Sequence, residues 1–196
     1  MRRTPAAVRR NAIRSTAVAL LLCAVGCGQG GEGGQGGHDG HGGSPHAAPA
    51  RTRASFTAGG VDVAVTLERS GADTVAVSAT LSPRQKGFHL YSLTLPDDGV
   101  DGLGIPTRLT VGAPLTATGP VTSSAAPHEV RPAGLDLALP VYPDGPVTLR
   151  LATRLAGSAD GSASARVLLT YGACSTDGAC LAPVRAHPVT LAVPPR

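Results

Sequence analysis

Residues 61–81 read VDVAVTLERSGADTVAVSATL and contain the clearest structural signal in the chain. Valine or leucine occupies every second position from residue 61 to residue 67, and the same spacing returns from residue 75 to residue 81 with one alanine. A period of two is typical of strands that bury one face, and the Ser-Gly-Ala-Asp between the two runs supplies a turn. The stretch therefore predicts two successive antiparallel strands.

The same alternation recurs in short runs toward the C-terminus, each bounded by Gly, Pro, Asp or Ser. The runs cover residues 135–139, 147–151, 167–171 and 189–193, with shorter candidates at 107–111 and 115–118. The chain has 196 residues with 26 Gly, 17 Pro and no Trp, a composition that suits short strands joined by many turns. We predict an all-β, immunoglobulin-like antiparallel β-sandwich over residues 54–196, with a β-barrel as the alternative.

Residues 1–26 have the features of an export signal. Five arginines precede an apolar run at residues 17–25, which is too short to remain in a bilayer as a spanning helix. The run ends in AVGC at residues 24–27, which resembles the lipobox of bacterial lipoproteins, although Ala replaces the usual Leu. The resemblance implies cleavage before Cys27, lipidation of Cys27, and attachment to the outer face of the cytoplasmic membrane. Ordinary cleavage that leaves Cys27 as a free thiol is the alternative.

Export changes the charge of the chain. The full chain has 17 Lys and Arg against 13 Asp and Glu, and five of the 17 basic residues but no acidic residue precede Cys27. The exported chain would therefore carry 12 basic and 13 acidic side chains, a formal charge of −1. Such a chain has no basic surface for nucleic acid, and we expect no nucleic-acid partner.

Residues 27–53 read as a flexible, Gly-rich tether that cannot bury a core. The tether also contains His38, His41 and His46, and His-rich tracts sometimes bind transition metals. Their spacing lacks the register of a formed site, so we expect a solvated spacer and no metal or other cofactor. A metal-handling lipoprotein is kept as an alternative.

Cys174 and Cys180 lie in the sequence YGACSTDGACLAP, residues 171–183, on either side of a turn-forming Asp-Gly pair. A hairpin brings such positions to about 4.5–5.5 Å between Cα atoms, within the range of about 4.4–6.8 Å that a disulfide needs. Export favours a disulfide, and Cys27 is the only other cysteine of the exported chain. A zinc site is disfavoured because two thiolates lack a second pair of ligands. On spacing alone, the bond is either a structural staple or a redox pair.

Residues 170–193, TYGACSTDGACLAPVRAHPVTLAV, resemble the end of the N-terminal periplasmic domain of the DsbD-type thiol:disulfide interchange proteins. That family carries a Tyr-x-Gly-Cys, five residues with a Gly near the second Cys, and then Cys, a hydrophobic residue and Pro. Residues 86–91, KGFHLY, and 137–141, LALPV, resemble two upstream strands of the same domain. The resemblance extends over roughly residues 61–193 and implies an immunoglobulin-like sandwich.

The resemblance also implies that Cys174 and Cys180 relay electrons by thiol–disulfide exchange. The partners would be thioredoxin-like extracytoplasmic proteins and a separate membrane electron-donor protein. Residues 123–134 fall at the position of the cap that shields the pair in that family. The residues that would line the site are Phe88, Tyr91, His128, Glu129 and Val130.

The chain departs from the family pattern close to the cysteines. Residues 181–183 read LAP where an aromatic residue and two prolines are usual, and Val130 stands near the place of an aromatic lid, which implies looser shielding. A nearby cation would favour a thiolate, whereas Asp177 would oppose it. The candidate cations are His128, Arg131, Arg185 and His187. The alternative function is a membrane-anchored binding module whose hairpin disulfide is permanent.

Overall fold

The structure is a computed structural model that describes residues 50–157 and 163–196. Strands and connecting loops make up these two ranges, which contain no helix and therefore none able to span a membrane. The strands in chain order are β1 Arg51–Ala58, β2 Val61–Arg69, β3 Thr74–Pro83, β4 Phe88–Leu90, β5 Arg108–Val111, β6 Leu115–Ala117, β7 Thr122–Ser123, β8 His128–Val130, β9 Leu139–Val141, β10 Val147–Leu155, β11 Ser164–Tyr171, β12 Ala173–Ser175 and β13 Val184–Ala192. The predicted signal, Cys27 and nearly all of the predicted tether lie outside the described residues.

Two main antiparallel sheets form the sandwich. One has the order β1-β2-β3-β10-β6, with β7 also pairing with β10, and the other has the order β13-β11-β5. Strands β2, β3, β10 and β6 occupy the places of A, B, E and D in an immunoglobulin domain, and β13, β11 and β5 occupy those of G, F and C. The predicted all-β, immunoglobulin-like sandwich is confirmed, and because the sheets are separate the barrel alternative is wrong.

The core lies between the inner faces of these two sheets. Along β2 the buried and more exposed positions alternate, and Val61, Val63, Val65 and Leu67 are at most 2% exposed. Strand β11 contributes its own alternate positions from the opposite sheet to the same cluster. Because these side chains are packed on all sides, a change such as Leu67→Ala is expected to cost about 2–5 kcal/mol of stability.

Two predicted boundaries are wrong. The alternation at residues 135–139 is not a strand: Leu135 closes a turn by donating its N–H to the Pro132 carbonyl, and β9 begins only at Leu139. Strand β1 begins at Arg51, three residues before the predicted start of the sandwich at residue 54, and pairs along its whole length with β2. The apolar alternation of β1 is short and weak, with Ala54, Phe56 and Ala58 at partly buried positions, because this edge strand buries none of its positions fully.

Strand β2 runs from one end of the sandwich to the other. At its last residue, Arg69 donates its backbone N–H to the Ala50 carbonyl at 3.0 Å and its Nε–H to the Pro194 carbonyl at 2.8 Å. The start of β1 and the segment that follows β13 therefore meet at this end. At the other end, Gly59 in the turn before β2 has φ +54°, and a Cβ there would collide with the Ala182 carbonyl oxygen. The loop that carries Cys180 thus rests on the β1–β2 turn.

Candidate functional site

Four short strands form a small ribbon at the Gly59 end of the sandwich. Strand β12 pairs with β4, and β8 pairs with β9. A bridge between Tyr91 and Val141 joins the two pairs, and it is flanked by N–H donation from Tyr142 to the Leu90 carbonyl at 2.8 Å. The order across the ribbon is therefore β12-β4-β9-β8. Along each of these strands, every second side chain lies on the same face of the ribbon.

A tight hairpin at the edge of this ribbon positions the two cysteines. The N–H of Ser175 donates to the Ala179 carbonyl at 2.8 Å, and the N–H of Leu181 donates to the Ala173 carbonyl at 2.9 Å. The turn passes through Gly178, whose φ of 92° suits glycine. Backbone hydrogen bonds therefore support the hairpin on both sides of the cysteines, in addition to the bond between the sulfurs.

Cys174 and Cys180 are joined by a disulfide, with 2.05 Å between the Sγ atoms and 4.1 Å between the Cα atoms. The pairing that the spacing predicted is therefore present. The two residues differ in their access to solvent: Cys174 is 7% exposed, whereas Cys180 is an exposed residue of the loop. An incoming thiolate can thus reach the Cys180 side of the bond, while Cys174 belongs to a small buried cluster.

The disulfide forms part of the wall of a cavity of about 260 Å³. The wall is mostly apolar, and Ile105, Leu139 and Val141 contribute to it. Leu103 and Leu135 lie at the cavity and are 39% and 43% exposed, the large apolar side chains that the described ranges leave most open to solvent. The arrangement offers an apolar recess with a partly exposed apolar rim beside a reachable sulfur.

The predicted site-lining residues divide into two groups. Tyr91 and Val130 line the cavity together with the cysteines, and burial raises the pKa of the Tyr91 phenol above its ordinary value. Phe88 lies on the opposite face of β4, where it packs against the main core. His128 and Glu129 are exposed on β8 and do not belong to the cavity wall.

The predicted cap, residues 123–134, contains part of β7 and all of β8, and reaches the cavity through Val130 and Pro132. Of the candidate cations, His187 lies on β13 with its ring stacked on Phe56, the ring centroids 4.2 Å apart. Arg131 and Arg185 are also absent from the cavity wall. Within the described ranges, no group of three or more His, Cys, Asp or Glu side chains is arranged to hold a metal.

Asp177 lies in the turn and accepts a hydrogen bond from the Ser175 hydroxyl. This bond is the main reason that the pKa of its carboxyl lies below the ordinary value. The carboxylate therefore stabilises the turn. It also places a negative charge on the cysteine hairpin.

His89 is a titratable residue of the cavity wall that the sequence did not predict. It lies directly opposite Cys174 in the β12–β4 pair, is 5% exposed, and lines the cavity. Burial holds the pKa of its imidazole below 6.5, a nearby Asp144 acts in the opposite direction, and His128 adds to the lowering. The two-residue spacing between His89 and Tyr91 was the available signal, because side chains so spaced share a face of a strand.

Comparisons with known proteins assign no family. Neither the known protein families nor the curated proteins give a match. Among solved structures, the chain is similar to the reduced N-terminal domain of DsbD from Neisseria meningitidis, with 17% identity, a TM-score of 0.37, and coverage of 63% of this chain and 80% of that chain.

Two other solved structures show likenesses of the same order. The GAE domain of GGA2p from Saccharomyces cerevisiae has 8% identity and a TM-score of 0.40, over 75% of this chain and 100% of that one. A structure concerned with pH-induced modulation of Streptococcus parasanguinis adhesion by Fap1 fimbriae has 11% identity and a TM-score of 0.33, over 74% and 89%. These values are too low to carry a family or an activity, so the site has to be interpreted from its own chemistry.

Proposed function

We propose that the chain is an extracytoplasmic thiol–disulfide exchange module that relays electrons through Cys174 and Cys180. The observation that carries the proposal is the asymmetry of the bond, since an exposed Cys180 is joined to a buried Cys174 at an apolar recess. Exchange requires one sulfur that a partner can reach and a second that can resolve the mixed disulfide. The pair meets both requirements.

The relay has two steps, and each is a thiolate attack on a disulfide. A partner thiolate attacks the Cys180 sulfur, the bond between the sulfurs breaks, and its electron pair leaves on Cys174. The second thiol of the partner, once deprotonated, then attacks the mixed disulfide and releases Cys180. The partner is oxidised to a disulfide and the module is reduced by two electrons. Reversal of both steps passes these electrons to an acceptor disulfide.

The partners proposed are thioredoxin-like extracytoplasmic proteins, with a membrane electron-donor protein as the source of electrons. The exposed Leu103 and Leu135 beside the disulfide support protein docking, because apolar side chains at the centre of an interface contribute binding through their burial. We further propose that a lipid on Cys27 anchors the chain to the outer face of the cytoplasmic membrane. If it does, Cys27→Ser moves the protein from the membrane fraction to the soluble fraction.

Trapping the mixed disulfide tests the relay. In Cys174→Ser, the exposed Cys180 remains but the module has no resolving thiol of its own. The partner is a thioredoxin-like protein whose second cysteine is also replaced by serine and whose attacking cysteine is activated as a mixed disulfide with a small thiol, so that the covalent complex with Cys180 should accumulate. Cys180→Ser is the matched control and should trap far less, because its remaining thiol is buried. Equal trapping by the two variants, or none by either, would contradict the proposed roles of the sulfurs.

The reduction potential of the couple distinguishes the relay from the alternative of a permanent structural bond in a binding module. The apolar cavity is the observation that favours that alternative, because small-ligand sites are concave and mostly apolar. Structural disulfides generally have potentials below about −300 mV, and exchange-active ones lie above it. A potential above that value supports the relay. A lower one, with no exchange by any thioredoxin-like dithiol, would favour the binding module.

A further inference from the structure

We propose that His89 is the proton acceptor of Cys174 when the reduced module passes its electrons on. This proposal rests on the proposed function and assigns a role to a residue opposite the buried sulfur. Cys180 first attacks the disulfide of the acceptor and forms a mixed disulfide. The Cys174 thiol then gives its proton to His89, and the resulting thiolate attacks the Cys180 sulfur. The acceptor leaves as a thiolate and is protonated to a thiol, so that the module is oxidised and the acceptor reduced by two electrons.

The register of the β12–β4 pair brings the two side chains together. Cys174 and His89 are direct cross-strand partners, and such partners have Cβ atoms about 4.5–5.5 Å apart on the same face. Both side chains are buried and both line the cavity. A Cβ separation of this size is comparable to the length of an imidazole side chain.

The apolar surroundings create the need for such an acceptor. Burial in apolar surroundings raises the pKa of a thiol, since it disfavours the thiolate, and the thiolate is the reactive form. Cys174 belongs to a cluster with Leu95, Leu139 and Val141, so it lacks the solvation that an exposed thiol would have. An adjacent imidazole that takes up the proton leaves an ion pair instead of an isolated buried charge.

Other titratable groups on the cavity wall do not serve this purpose. Among the described residues of that wall, His89 and Tyr91 are the titratable side chains besides the cysteines. Burial raises the pKa of Tyr91, so its phenol stays protonated at neutral pH and cannot accept a proton. Burial has the opposite effect on the imidazole of His89, which is therefore neutral and able to accept one.

Three neighbours face His89 from the elements around it. Tyr91 on the same strand has its ring perpendicular to the imidazole, with 6.3 Å between ring centroids. Asp144, in the turn after β9, favours the protonated imidazole, and His128 on β8 opposes it. Because Asp144 and His128 are exposed, they can be changed with little effect on the fold, and their opposite influences on His89 provide a test.

The first experiment titrates Cys174 alone. In the full chain carrying Cys23→Ser, Cys27→Ser and Cys180→Ser, which leaves Cys174 as the one cysteine, the thiolate absorbance near 240 nm is measured against pH, with and without His89→Gln. Loss of the imidazole should leave at least about tenfold less Cys174 thiolate at pH 7, which corresponds to an upward pKa shift of one unit. An unchanged titration in a folded His89→Gln protein would overturn the proposal.

The second experiment does not require a change at the buried position. The rate at which a preformed mixed disulfide with a small aromatic thiol is resolved should fall at low pH, as His89 becomes protonated. Asp144→Asn should move this inflection to lower pH and His128→Gln to higher pH. Shifts in the same direction, or none, would overturn the proposal. If exchange with thioredoxin-like proteins is absent but both experiments give the expected shifts, the relay fails while the pairing of His89 with Cys174 stands.

Discussion

Reduction of the Cys174–Cys180 bond is expected to lower the free energy of unfolding by only about 2 kcal/mol. The bond closes a loop of about seven residues, and the chain-entropy relation gives about 2 kcal/mol for a loop of that length. Neither cysteine belongs to the main core cluster, and the flanking hairpin hydrogen bonds do not depend on the sulfurs. For a domain of this size the loss corresponds to a fall in Tm of roughly 5–10 °C.

Thermal unfolding followed by circular dichroism, with and without a dithiol reductant, measures this loss. Cys180→Ser is the matched control, because its Tm should lie close to that of the reduced protein and should not respond to the reductant. The transition should remain cooperative in both redox states. Loss of the cooperative transition on reduction would refute the reasoning, since a relay has to stay folded while the bond is open.

Three further predictions concern the surroundings of the site. Leu135→Asp changes an exposed position, so the free energy of unfolding should stay within about 0.5 kcal/mol of that of the unchanged protein. The variant should lower kcat/KM for a thioredoxin-like protein but leave the rate of reduction by a small dithiol unchanged, and equal effects on both would contradict a docking role. Gly59→Ala should destabilise the domain more than Gly87→Ala in chemical denaturation, because both residues have positive φ but only at Gly59 would the new Cβ collide with a neighbour. Burial raises the pKa of Tyr171 to about 12, so the phenol ionises at lower pH in the unfolded chain than in the folded one. The free energy of unfolding, measured from denaturant midpoints, should therefore fall as pH rises from about 10 toward that value. Tyr171→Phe should reduce this fall.

The parts of the fold that could be predicted from the sequence are those in which local pattern and burial coincide. Strands β2 and β3 bury one face against a single core, so their alternate valines and leucines mark them directly. The Asp-Gly turn between the cysteines likewise fixes its own hairpin. The first residues of edge strand β1 were not predicted to be a strand. They lie at the side of the sheet, and no position of β1 is fully buried, so the sequence shows no strong apolar alternation there.

The site was less predictable because it depends on which face of a short strand points toward the cavity. Phe88 and His89 are neighbours in sequence, and alternation alone cannot say which of them shares a face with the sulfurs. Only the pairing of β4 with β12 decides this, in favour of His89. Alternation also cannot distinguish a short strand from a turn. The alternate leucines before β9 predicted a strand, but a turn places Leu135 at the cavity rim.

The position of Arg69 has a consequence for how the domain is presented to other molecules. Strand β2 has nine residues, and at about 3.3 Å per residue it separates the Ala50 end from the Gly59 end by roughly 27 Å. Any surface to which the chain is fastened ahead of Ala50 therefore holds the domain by the end remote from its sulfurs. In the proposed relay, the face around Cys180 is therefore roughly 27 Å from the residue at which the domain is held, so that a redox partner and the attachment do not compete for the same face.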